Sequence, residues 1–314
     1  MPKGRKLDLL LEQLAQLREE PTSEESIAQL RQILTSKQAI AIAQAAKLVG
    51  KFELTSLIPE LVTAFQEGLA KPDSDPNCHA KSALADALYR LSYSDESLFL
   101  QGIRHIQMEA VWGGQVDTAA KLRGICAMAL VRMNYQHIMT ELADLLADRE
   151  APARIAAARA IAYSENEQGI PLLRLRSRIG DEPQVISECL AALLKLDPQQ
   201  SVSFVAQFLE DPQPQTQELV ALALGESRLP EAFESLKRWW GKQADPELRQ
   251  AGLLAIAMLR SDTAFDFLLT LIANGRDLDA RDAVAALKIY QQDPSLWQRV
   301  VSAAEHRGEL SLLS

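Results

Sequence analysis

An alanine followed by an apolar residue returns along this chain at nearly constant intervals. Ala45, Ala87, Ala129, Ala160, Ala192, Ala223, Ala255 and Ala286 are separated by 42, 42, 31, 32, 31, 32 and 31 residues. A second series, Met139, Ile170, Val202, Phe233 and Phe265, keeps the same step, and a third, Leu142, Leu173, Val205, Leu236 and Leu268, follows it three residues later. Residues three apart share a face in a helix and not in a strand. Each period therefore holds two helices, a first (helix A) with large apolar residues and a second (helix B) with alanine at its close contacts. One such pair cannot cover its own apolar face, and stacked pairs can. The expectation is an all-α solenoid.

Helix-start signals recur between the two helices of a unit, as in Asp181-Glu182-Pro183, Asp211-Pro212 and Asp245-Pro246. Asp accepts from free backbone N–H groups, and Pro at the first helical position gives up no needed donor. Arg123, Arg154 and Arg249 each stand six residues before their ladder alanine. Second helices such as PARIAAARAIA and PELRQAGLLAIAML resemble HEAT repeats, in the short variety first named for phycobilisome lyases. The resemblance spans about residues 23–291 and implies an α-solenoid (superhelix) of about eight two-helix repeats. Residues 1–22 and 292–314 are expected as terminal caps, with helices at 7–20 and 294–307, so that residues 1–314 form one solenoid domain.

The bulk numbers narrow the function classes. Three cysteines in 314 residues, at 78, 126 and 189, make no disulfide framework and no metal-ligand spacing. A reducing, cytoplasmic setting is the expectation. The start MPKGRKLDLLLEQLAQL opens like a leader, but Asp8 and Glu12 break its apolar run, and no stretch approaches the 18 residues of a membrane span. The net charge is −9, with 33 basic against 42 acidic side chains spread over both halves, so nucleic acid is not an expected partner. No nucleophile elbow, phosphate loop or dinucleotide fingerprint is present. Neither a metal nor a cofactor is expected. Asp144 and Asp148 read as solvated helix-end charges, Cys78-His79 as incidental, and Trp239-Trp240 as core residues, because their ladder positions are otherwise Leu, Phe and Ile.

Function is sought where a repeat is broken. The two intervals of 42 contain insertions of about eleven residues, Gly68–Cys78 and Met108–Asp117, each between helix A and helix B of neighbouring units. They emerge on the same edge and form one candidate binding surface. The second gathers His105, Gln107, Glu109, Trp112 and Asp117 around Gly113-Gly114, with Asp117 capping the helix that carries Arg123. Trp112 either stacks on a partner or folds back over the core, and the second is the expectation, with His105 pointing outward. A basic run, Arg174, Arg176 and Arg178, gives residues 149–178 six basic and three acidic side chains. It either meets an acidic partner or marks a register shift that puts Leu175 and Ile179 in the core, and the shift is the expectation.

The leading expectation is a non-enzymatic scaffold or adaptor that binds a protein with its concave helix-B face and the loops 68–78 and 108–117. The HEAT resemblance implies two alternatives: a phycobilin lyase-like chaperone of a chromophore or cofactor, and a HEAT-type DNA glycosylase. For the latter, Trp112, Asp117 and Arg123 are the one local trio of the required types.

Overall fold

A computed structural model describes residues 3–313, which form 18 α-helices and a two-stranded antiparallel ribbon. The chain divides into two compact units, the first ending at Ser164 and the second beginning at Glu165. The first holds α1 (Lys3–Gln16), α2 (Glu24–Leu34), α3 (Ala39–Lys51), α4 (Ile58–Ala70), α5 (His79–Arg90), α6 (Glu96–Ile103), β1 (Met108–Val111), β2 (Gly114–Asp117), α7 (Ala120–Arg132), α8 (Ile138–Leu146) and α9 (Ala151–Ser164). The second holds α10 (Gly169–Ile179), α11 (Pro183–Leu196), α12 (Pro198–Val205), α13 (Pro214–Glu226), α14 (Phe233–Lys242), α15 (Pro246–Met258), α16 (Asp262–Asn274), α17 (Asp277–Leu287) and α18 (Pro294–Arg307).

From α2 to α17 even-numbered helices are helix A and odd-numbered ones helix B. In the first unit α3, α5, α7 and α9 pack in that order, and in the second α11, α13, α15 and α17 do so. Each unit is thus an α-solenoid of stacked helix pairs. All eight ladder alanines are buried, as is the whole series Leu142, Leu173, Val205, Leu236 and Leu268. Small residues matter at the helix-B contacts because the backbones nearly touch. A Cβ added to Gly225 of α13 would lie 2.8 Å from Ala255 Cα of α15. Among the described residues no helix is long and apolar enough to cross a membrane.

Helix starts follow the local chemistry. Asp245 caps α15 by accepting from Glu247 N and Leu248 N, with Pro246 next to it, and Asp293 caps α18 in the same way. Asp211-Pro212 is displaced from the expected place: α13 begins at Pro214, and Asp211 Oδ1 instead accepts from Gln213 N at 2.9 Å in the turn before it. Trp239 and Trp240 are core residues, and Trp239 Nε1 donates to Gln217 Oε1 at 3.1 Å.

Three expectations are corrected. The first insertion is shorter than Gly68–Cys78, since α4 runs on to Ala70 and leaves two 3-10 turns, Pro72–Ser74 and Pro76–Cys78. The second insertion is a β-hairpin, so the described residues include two strands as well as helices. The register of α10 does not shift: Leu175 and Ile179 are exposed, and Ser177 fills the buried step. Its Oγ donates to Leu173 O at 2.9 Å, and a hydroxyl paired within its own helix is buried without an orphaned donor.

Candidate functional site: a hairpin arm and its buried root

Strands β1 and β2 pair Met108 with Asp117 and Val111 with Gly114, and Trp112-Gly113 makes the turn. Gly113 has φ +90°, a conformation L side chains disfavour, which is why glycine follows the tryptophan. Trp112 is wholly exposed. It does not fold back over the core, contrary to expectation. Ile106, Met108, Val111 and Val116 are exposed beside it, so the arm presents apolar surface from root to tip.

A lone two-stranded hairpin is marginal in water, and this one is held from below. Asp117 Oδ1 accepts from Gln107 N and Ala119 N, each at 3.0 Å. Its other oxygen takes the Arg123 guanidinium at 2.6 Å. Arg123 is 3% exposed; it also donates to His105 O at 2.9 Å and to Asp148 Oδ1 at 2.9 Å. Asp117 therefore braces the arm against α7 rather than capping it, for α7 has no side-chain cap. Asp148 is no free helix-end charge, while Asp144 is exposed as expected.

The two insertions are joined. Glu109 accepts from Asn77 N through both carboxylate oxygens, at 2.8 and 3.0 Å, and from Thr118 Oγ1 at 3.0 Å. Buried Gln107 donates to Asp75 O at 2.9 Å and to Glu109 Oε1 at 2.5 Å. Asp75, 2% exposed, accepts from Ala80 N and Lys81 N at 2.9 Å each and lies 3.3 Å from the fully buried Lys81 Nζ. Asn77 and Cys78 both adopt left-handed backbone, φ 59° and 53°. Other left-handed positions (Ser92, Asn134, Glu165, Arg228 and Arg260) follow the ladder alanines by five residues and end helix B; Asn77-Cys78 stand apart from that series. This turn is what aims Asn77 N at Glu109.

Of the nine candidate residues, the structure brings His105, Gln107, Glu109, Asp117 and Arg123 into one network. His105 is half-buried rather than outward, with Nε2 3.5 Å from Gln107 Oε1. Trp112 stands at the far end of the arm. Arg174, Arg176 and Arg178 lie in the second unit and are engaged there. Arg174 and Arg178 sit over the Phe204 ring at 4.0 and 4.8 Å, and Arg176 pairs with Asp181. Asp117 and Arg123 neutralise each other below the arm, which leaves no Trp–Asp–Arg trio facing a ligand. Asp75, Asn77, Lys81, Thr118 and Asp148 are additional members. The signal for most of them was present: Asp75, Asp117 and Asp148 each stand twelve residues before a ladder alanine, and Lys81, Arg123 and Arg154 six before.

The electrostatics lock the root at neutral pH. Burial acts to raise Asp117, but the N–H groups of Gln107 and Ala119 and the Arg123 guanidinium outweigh it and hold its carboxyl below the usual range. The hydrogen bond from Gln107 does most to lower Glu109. Burial pushes the His105 imidazole down. A lowered carboxylate contributes stability that is complete above its unfolded value and lost as pH falls through the folded one. A histidine held neutral adds to the loss below about pH 6.5. Amide exchange, corrected for its intrinsic pH dependence, is expected to show protection of β1 and β2 falling as the pH drops below the ordinary carboxylate range of about 4, before that of α7. Glu109→Gln is expected to shrink that pH dependence. Equal acid loss of protection in hairpin and helices would contradict it. Burial pushes the Cys78 thiol up to about 11, so it stays protonated and inert at neutral pH.

Residues 174–257 and 202–288 match the sequence profile of HEAT repeats. No curated protein matches the chain. Among solved structures it is similar to the complex of CpcE and CpcF of phycocyanin lyase from Nostoc sp. PCC7120, with 17% identity, TM-score 0.37, and 89% of this chain and 94% of that chain covered. An engineered protein gives 16% identity, TM-score 0.39, and coverage of 92% and 87%. Human deoxyhypusine hydroxylase in complex with glycerol gives 17%, 0.33, and coverage of 82% and 91%. With TM-scores below 0.5, these likenesses assign this chain neither substrate nor partner.

Proposed function

We propose that this HEAT-repeat chain is a non-enzymatic scaffold that docks a protein partner, with the hairpin arm as its anchor and the helix-B face as its broader surface. The observation that carries the reading is the contrast within the arm. Its root is fixed by buried hydrogen bonds and ion pairs, while its tip holds a wholly exposed Trp112 next to exposed Val111. Exposed apolar clusters on a rigid support mark interaction sites, and tryptophan is enriched among residues that dominate binding energy. A partner with an apolar pocket wide enough for an indole is the fit.

A photo-crosslinking amino acid at position 112 tests this in cells of the source organism. One protein is expected to be captured there, and not when the same group replaces the exposed Tyr163. Equal capture at both positions, or none at 112, overturns the reading.

A further inference from the structure

On the helix-B side of the first unit, α3, α5 and α7 enclose a groove of about 490 Å³. Its apolar part includes Ile40, Ala43, Ala83 and Ile125, and Ile40 is 51% exposed, a large apolar side chain without cover. Its rim is cationic. Lys47 and Lys121, both exposed, have no hydrogen bond or ion pair among the described residues. Arg90 is paired to Asp86 at 2.7 Å, so its charge is balanced, and the two lysines are the uncompensated ones. The corresponding groove of the second unit, on α13, α15 and α17, is similar in size at about 460 Å³ and opposite in sign, with Glu218, Glu247 and Asp282 and no cation in its lining. A chain of net charge −9 thus keeps one helix-B groove positive.

We propose that the α3–α5–α7 groove binds an acidic amphipathic segment of a protein partner. Apolar side chains of that segment cover Ile40 and Ile125, and its carboxylates face Lys47 and Lys121. The proposal rests on the docking reading above and names the partner chemistry for the helix-B part of that surface. Complementary charge at such a rim sets partner choice and association rate, and it weakens with salt. A nucleic-acid strand fits less well: two lysines give a short phosphate track, and no Phe, Tyr or Trp lines the groove, His79 being its one ring.

The test uses the full chain and a labelled 16-residue helical peptide of Glu, Leu and Ala, with Gln and Lys counterparts in place of Glu. In fluorescence anisotropy at low salt, the Glu peptide is expected to bind at least tenfold more tightly than the Gln peptide. Raising NaCl to 0.5 M is expected to remove most of that advantage. The double reversal Lys47→Glu/Lys121→Glu is expected to lower Glu-peptide affinity at least tenfold. Both sites are exposed, so a circular-dichroism melt is expected to be unchanged. The reversal Lys37→Glu/Lys71→Glu makes the same change of net charge at exposed sites outside the groove, and it is expected to leave binding intact. Equal binding of the Glu and Gln peptides, or equal losses from the two reversals, overturns the proposal. Neither result touches Trp112-dependent capture, which tests the hairpin independently.

Discussion

Arg123→Met lowers the stability of the first unit by about 3–5 kcal/mol, because it leaves two carboxylates in a largely dry site with no counter-charge. Arg123 is 3% exposed, and its guanidinium reaches Asp117 at 2.6 Å, Asp148 at 2.9 Å and His105 O at 2.9 Å. Arg123→Lys is expected to retain part of that stability. The comparison is built into the chain: Lys81 holds the equivalent place one repeat earlier and reaches Asp75 at 3.3 Å and Pro72 O at 3.5 Å, within its own insertion. A single ammonium does not span two acids as the fork of a guanidinium does. Urea melts followed by circular dichroism measure both variants. A Met variant within about 1 kcal/mol of the parent would show that the pair's desolvation cancels its attraction, as in other buried pairs that hydrophobic residues replace at no loss.

Trp112→Ala has the opposite profile. The indole is wholly exposed, so truncation is expected to move stability by less than about 0.5 kcal/mol. Its expected effect is on affinity, a loss of about 2 kcal/mol or more, close to 30-fold, for the partner captured at position 112. Calorimetry or surface-based binding with that partner reads the change. A loss below threefold would place the binding energy elsewhere on the face. Together the two variants separate the arm's functions, since Arg123 supports the hairpin and Trp112 presents it.

The repeat was the legible part. Close helix packing admits little beyond a methyl group at the ladder positions, and that demand is written as alanine every 31 or 32 residues. The placement of the two insertions on neighbouring layers followed from the same count. The hairpin did not, because four-residue strands such as Met108–Val111 and Gly114–Asp117 give too few alternations for a period of two to emerge. The exposure of Trp112 is hidden in the sequence for a related reason. An aromatic among polar residues suggests a lid, but the fixed strands carry it away from the core. At α10 a serine at a core step suggested a slipped helix, whereas a hydroxyl that pairs with its own backbone needs no slip. The basic run next to it is dispersed by Phe204 and Asp181, neither of which its spacing reveals.

The bond between the two insertions has a consequence for how this protein can vary. Glu109 depends on Asn77 N, and Gln107 on Asp75 O, so each loop supplies acceptors for donors in the other. Deleting either strands the survivor's polar groups. Removing one loop is therefore expected to loosen the other, although 29 residues separate the end of one from the start of the other (Cys78 to Met108). Grafting the arm onto another solenoid would keep its root fixed only if both adjoining layers travelled with it.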